Sequence, residues 1–120
     1  MINQIPTLII DTEQQSLELL FSFLKKTDIT QVIGSYSDLV NGYNAVLELR
    51  PSIVIVDISQ KTDLAIDIVS KIAVNHKTCK IIVTSDDYSA DLVVKAMRAG
   101  AREFLSKPII EAELNASLEK

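Results

Sequence analysis

No apolar run in this chain approaches the roughly 18 residues that cross a bilayer as a helix. Met1 to Pro6 also lacks the basic start and apolar core of a secretory signal. These absences predict a soluble, cytoplasmic protein without membrane insertion. The 12 Lys and Arg residues are scattered along a chain of net charge −4, so the concentrated basic face that nucleic acids require is missing. Direct binding of DNA or RNA is not expected. Cysteine occurs once, at Cys79, which excludes an internal disulfide and a thiolate metal cluster; it reads as an apolar residue flanking a strand. Histidine also occurs once, in NHKTCK, and a lone loop histidine such as His76 reads as solvated and without a role. No internal repeat, low-complexity tract or linker is visible.

What remains is an ordinary globular mixture, 48% hydrophobic and 23% charged. At 120 residues there is room for one core and no second domain, so 1–120 reads as a single domain.

Three apolar segments are short and rich in β-branched residues: TLIID (Thr7 to Asp11), SIVIVD (Ser52 to Asp57) and KIIVTS (Lys80 to Ser85). Their apolar residues run on instead of alternating, the pattern of parallel strands covered on both faces. TQVIGSY (Thr30 to Tyr36) and REFLS (Arg102 to Ser106) are weaker strand candidates. Between these lie apolar residues at helical spacing, among them Leu17, Leu20 and Leu24, then Leu39, Tyr43 and Val46, then Ile68, Val69 and Ile72. Leu92, Val93 and Ala96, and finally Ile110, Leu114 and Leu118, complete the pattern. Asp38 suits a helix start, Asp86 and Asp87 read as N-caps of the fourth helix, and Gly100 sits where that helix must stop. A β then α alternation repeated five times predicts an α/β, doubly wound, five-stranded parallel sheet with five helices on its two faces. Of the common strand orders, the flavodoxin-like 2-1-3-4-5 suits five strands.

In open α/β sheets ligands bind beyond the carboxyl ends of the strands, at the switch point, here between strands one and three. That rule gathers scattered residues into one crevice. Strand one delivers Asp11 and Glu13, strand three ends at Asp57, strand four brings Thr84 and Ser85, and Lys107 follows strand five.

LIIDTE, RPSIVIVDIS, IIVTS and above all AMRAGAREFLSKPI (Ala96 to Ile109) resemble the receiver domains of two-component response regulators, the CheY-like family, over essentially the whole chain. The resemblance implies a signalling domain and not an enzyme. Asp57 takes the place of the aspartate that accepts a phosphoryl group from a histidine kinase or small phosphodonor. Thr84 takes the place of the hydroxyl that contacts the phosphoryl oxygens and follows them inward, and Lys107 that of the lysine that pairs with the phosphoryl group and acceptor. The Lys107–Pro108 bond would by the same resemblance be cis. Asp11, Asp57 and the backbone carbonyl of Ser59 stand where Mg²⁺ is held, and Phe104 where an aromatic reorients as part of the switch. Output would pass to a protein partner, or to a second copy in a homodimer, through helix four, strand five and helix five. AMRAGAREFLSKPI also looks like the atypical receivers at the N-terminus of TadZ/CpaE-type ParA/MinD-family pilus-assembly proteins, which would make the sequence part of a longer chain.

Two features depart from the receiver pattern. Typical receivers carry adjacent acids after strand one, the second being the usual metal ligand, and this chain has Thr12 there. Losing that charge predicts an impaired Mg²⁺ site, even if Glu13 reaches back. The loop SQKTDLA (Ser59 to Ala65) has neither the proline nor the glycines common in the family. Two readings therefore stand side by side. One is a phosphoryl-accepting switch; the other is a phosphorylation-independent pseudo-receiver acting in protein interaction, dimerisation or localisation, for example in a pilus-assembly ATPase. A flavin binder would suit the fold, but DTEQQS is acidic where a phosphate cradle needs N–H groups and hydroxyls.

Overall fold

The continuous β-branched runs form the centre of the sheet. In the computed structural model, which describes residues 4–119, the strands are β1 (Ile5–Ile10), β2 (Thr30–Tyr36), β3 (Ile53–Asp57), β4 (Lys80–Ser85) and β5 (Glu103–Ser106). They alternate with α1 (Gln14–Lys26), α2 (Leu39–Leu49), α3 (Thr62–Asn75), α4 (Ala90–Ala99) and α5 (Glu111–Glu119). Every strand pairing is parallel and the order is β2-β1-β3-β4-β5. The fold class and strand order are those the alternation predicts.

Leu8 to Ile10, Ile53 to Val56 and Ile81 to Val83 are all buried, because helices cover both faces of these strands. Pleating then deals their side chains to two cores. Leu8, Ile10, Val54, Val56, Ile81 and Val83 pack with residues of α2, α3 and α4, while Ile9, Ile53, Ile55 and Ile82 pack with Leu17, Leu20 and Leu24 of α1 and Leu114 and Leu118 of α5. Each fully buried aliphatic side chain contributes roughly 1.5–3 kcal/mol, so a strand with four of them is fixed in register by its own sequence.

Element ends follow local chemistry. Asp38 accepts the Asn41 amide at 2.8 Å and caps α2, and Gly100 ends α4 at φ +129°. A Cβ at Gly100 would lie 2.5 Å from that of Ala73, so both conformation and space require glycine there. At the start of α4 the expectation fails. The helix begins after Ser89, and Asp87 instead accepts the Ser89 amide at 3.0 Å while its own amide donates to Ser85 Oγ at 3.0 Å. Asp86 and Asp87 thus shape the loop before the helix, three and two positions ahead of its N-cap, Ser89. Among the described residues no helix is long and apolar enough to cross a membrane.

His76 overturns its solvated reading. The ring is buried, with Nε2 2.6 Å from the Pro51 carbonyl. A carbonyl only accepts, so Nε2 carries the proton and Nδ1 is left to accept from Arg50 Nη2 at 3.2 Å. Arg50 points this way because, as the C-cap of α2, it adopts a left-handed conformation at φ 47°. The cluster ties the α2–β3 turn to the α3–β4 turn below the amino ends of β3 and β4. Cys79 sits beside it as the expected buried apolar residue, burial pushing its thiol up to about 11.

Replacing His76 with alanine removes the donor to Pro51 and the acceptor for Arg50. The unfolding free energy should fall by about 1–3 kcal/mol, read as a lower urea midpoint at unchanged slope; an unchanged midpoint would show that these bonds add no net stability.

Candidate functional site

The carboxyl ends of the strands converge as the switch-point rule predicts. β1 runs out at Ile10 into Asp11, β3 ends on Asp57, and the Asp57–Thr84 and Ser85–Ser106 pairings align β3, β4 and β5 at the same edge. Lys107 follows Ser106; its amide donates to the Ser85 carbonyl at 2.8 Å, and its peptide bond to Pro108 is cis, as the resemblance implies. Its ammonium lies 3.2 Å from Asp11 Oδ2, 3.1 Å from Asp57 Oδ1 and 3.5 Å from Glu13 Oε1. Asp11 and Asp57 are 0% and 2% exposed, so this is a buried ion-pair network and not a surface contact.

Asp57 Oδ1 is crowded. Besides Lys107 it accepts Thr84 Oγ1 at 3.1 Å and Ser59 Oγ at 2.9 Å. Oδ2 accepts only the Ser59 amide, at 3.3 Å. Asp11 Oδ1 accepts the Glu13 amide at 2.9 Å, whereas Asp11 Oδ2 is buried with no hydrogen bond and only the ammonium beside it. Two carboxylates against one ammonium leave negative charge in a dry place. Burial pushes the Asp57 carboxyl above its ordinary value and the Asp11 charge pushes it further, with Lys107 and Ser59 pulling partly back. Burial alone would lower the Lys107 ammonium, but Asp57 and Asp11 outweigh it and hold the value raised.

The structure thus brings Asp11, Asp57, Thr84 and Lys107 together. The Glu13 side chain reaches the crevice through Lys107, from a half-exposed position, while its amide donates to Asp11. Phe104 stays apart, half-buried against the core beneath α2, α3 and α4. Sequence reasoning missed the Ser59 side chain. It considered only the backbone carbonyl, yet Oγ donates to Asp57 and accepts the Asp86 amide at 3.0 Å. A hydroxyl two residues after a strand-end carboxylate is the signal that was available.

Mg²⁺ takes one or two carboxylates and completes its octahedron with water and phosphate oxygens. The hydrogen-bond-free Asp11 Oδ2 is a hard oxygen of that kind, and the Asp57 carboxylate shares Lys107 with it, so the donor set fits such a cation. No third acid joins them in a metal-binding cluster among the described residues. In the third acid's place Thr12 presents a buried hydroxyl without a hydrogen-bond partner. Thr12 also edges a cleft of about 230 Å³ that Asp38, Gln60 and Lys61 help to line, and neither crevice carboxylate borders it.

The sequence pattern described as the response regulator receiver domain matches residues 7–119. The chain is 30% identical over 116 residues to the transcriptional regulatory protein BtsR of Escherichia coli K12, covering 97% of this chain and 47% of that protein. It therefore spans about half the length of that relative. Over 86 residues it is 34% identical to the chemotaxis protein CheY of Thermotoga maritima, covering 69% of this chain and 72% of that one. The solved signal receiver domain of the response regulator NarL from Mycobacterium tuberculosis superimposes with a TM-score of 0.87 at 14% identity, covering 99% of this chain and 100% of that one. At that identity the likeness shows the shared fold.

The raised Asp57 carboxyl sets a pH test. As pH climbs past the ordinary value of 3.8, the unfolded chain releases this proton before the folded one does. The group therefore costs stability progressively through the window up to its raised value and costs a constant amount beyond it. Asp57→Asn has no proton to release, so its stability minus that of wild type should grow with pH across that window and then level off. Urea midpoints of both proteins along a pH series check this, and a difference independent of pH would contradict it.

Proposed function

The chain belongs to the response regulator receiver domain family, and from that premise we propose that it is a phosphoryl-accepting signalling module with Asp57 as acceptor and a Mg²⁺ site weakened by Thr12. The observation that carries this reading is the division of labour on the Asp57 carboxylate. Lys107, Thr84 and Ser59 all hold Oδ1, leaving Oδ2 with one 3.3 Å contact. Oδ2 is thus the oxygen free to attack phosphorus.

The chemistry follows from that arrangement. The Oδ2 lone pair forms the new O–P bond as the bond to the donor's leaving group breaks, and the leaving group departs with its electron pair. Charge spreads over the transferred oxygens in such a transfer. The Lys107 ammonium, 3.1 Å from the acceptor, neutralises part of it, and the Thr84 hydroxyl, 3.1 Å away, can donate to the same oxygens. Asp11 and Asp57, with the Ser59 carbonyl, would hold Mg²⁺, which when bound supplies further positive charge to the transferred group. The donor would be a histidine kinase phosphohistidine or a small acyl phosphate. For output, α4 exposes Val94 and Met97, apolar residues suited to a protein partner or a second copy at the α4, β5 and α5 face. None of the relatives named above is a pilus-assembly protein, so that likeness adds nothing to the reading.

Intact mass after incubation with acetyl phosphate and Mg²⁺ should show one added phosphoryl group, absent in an Asp57→Ala control. Absence of the adduct from the parent protein would sink the proposal and leave a phosphorylation-independent interaction module. Restoring a carboxylate with Thr12→Asp should tighten Mg²⁺ binding about 10–100-fold, measured by calorimetric titration; an unchanged affinity would move the defect to the loop after Asp57.

A further inference from the structure

We propose that Ser59 is a positioning residue whose hydroxyl couples the state of the Asp57 carboxylate to the loop that leads into α4. The inference rests, for its signalling meaning, on the reading of Asp57 as phosphoryl acceptor.

The geometry is a two-link chain. Ser59 has one hydroxyl hydrogen, and it is donated to Asp57 Oδ1 at 2.9 Å. With the hydrogen fixed there, the Oγ lone pairs face outward, and the Asp86 amide donates to one of them at 3.0 Å. Hydrogen bonds aligned in this way polarise one another, so the outer bond feels the charge at the inner end. Asp57 and Asp86 belong to different strand ends, and the hydroxyl of Ser59 bridges them.

What Asp86 controls is the head of α4. The next amides along the chain are held in turn: Asp87 by Ser85 Oγ at 3.0 Å, Ser89 by Asp87 Oδ1 at 3.0 Å, and Val93 by the Ser89 carbonyl at 3.0 Å. Of these, only the Asp86 bond crosses to the loop after β3; the others stay within the segment that builds the helix start. Residues 86–90 are exposed, so little packing competes with these bonds in setting the loop's position. Converting Asp57 to an acyl phosphate removes the carboxylate charge from the acceptor oxygen and places new anionic oxygens nearby. The hydroxyl then turns to a new acceptor, and the Asp86 amide loses or changes its partner. This route runs beside the one through Thr84, which contacts the same Oδ1 from within β4.

The test uses amide proton–nitrogen NMR spectra of the full chain, with Asp57→Asn as a charge-removing change that needs no phosphorylation. Asp57→Asn should displace the Asp86 amide resonance strongly. In a Ser59→Ala background that displacement should be lost, and in a Ser59→Thr background, which keeps the hydroxyl, it should return. Ser59 is half-buried, so both variants should fold, as the dispersion of the same spectra reports. An Asp86 displacement of the same size with and without the hydroxyl overturns the proposal, as does no displacement in the parent. Acetyl phosphate with Mg²⁺ is the second arm, its adduct followed by mass. Failure to form the adduct overturns the acceptor reading of Asp57, while the Asp57→Asn comparison still decides the coupling.

Discussion

Two carboxylates taken out of water at neighbouring strand ends share the one ammonium that stands between them. Lys107 makes that contact with Asp11 at 3.2 Å and Asp57 at 3.1 Å. With strand order β2-β1-β3-β4-β5, Lys107 follows a strand two places from β3, a lateral distance of roughly 10 Å at the usual strand spacing. A long flexible stem can cross over the end of β4 to reach it. Breaking a buried pair of this kind by removing one partner typically costs about 3–5 kcal/mol. The crevice is therefore a structural joint between β1, β3 and β5 as well as a chemical site.

That joint also sets the proton affinity of the Asp57 carboxyl. Burial and Asp11 push the Asp57 proton affinity up, and Lys107 and Ser59 pull it partly back. Three contacts crowd Oδ1 and leave Oδ2 the more open oxygen of the pair.

Much of this was legible in the sequence, and the reason lies in length scales. β1, β3 and β4 announce themselves because a run of buried β-branched residues has few other places to go, and once the alternation fixes the topology the switch-point rule brings Asp11, Asp57, Thr84 and Lys107 to one edge. The unread parts are all matters of a single side chain turning through one loop. His76 is buried because Arg50, more than 20 residues away in sequence, takes a left-handed conformation that no glycine advertises. Lys61 takes another at φ 49°, so the loop after Asp57 turns before α3 without the family's glycines. Asp87 serves a turn instead of a cap by a margin of two residues. Ser59 Oγ joins the site through a loop conformation that propensity does not specify. Hydrophobic burial is written as pattern, whereas polar contacts depend on where a loop happens to place one atom.

Thr12 bears on the charge balance of the crevice. Its buried hydroxyl has no hydrogen-bond partner, a state that ordinarily costs about 1–3 kcal/mol, so by itself it is a liability. A carboxylate at this position would be worse without a cation, since a third negative charge at about 4 Å and an effective dielectric near 20 is worth up to roughly 4 kcal/mol of repulsion. Lys107 is already shared among Asp11, Asp57 and Glu13, so a further carboxylate would add to an excess of negative charge. Threonine therefore spares the crevice that repulsion. A carboxylate there would in turn offer a charge of the kind that draws in a divalent ion. Stability without metal and affinity for metal are set here in opposite directions by one side chain.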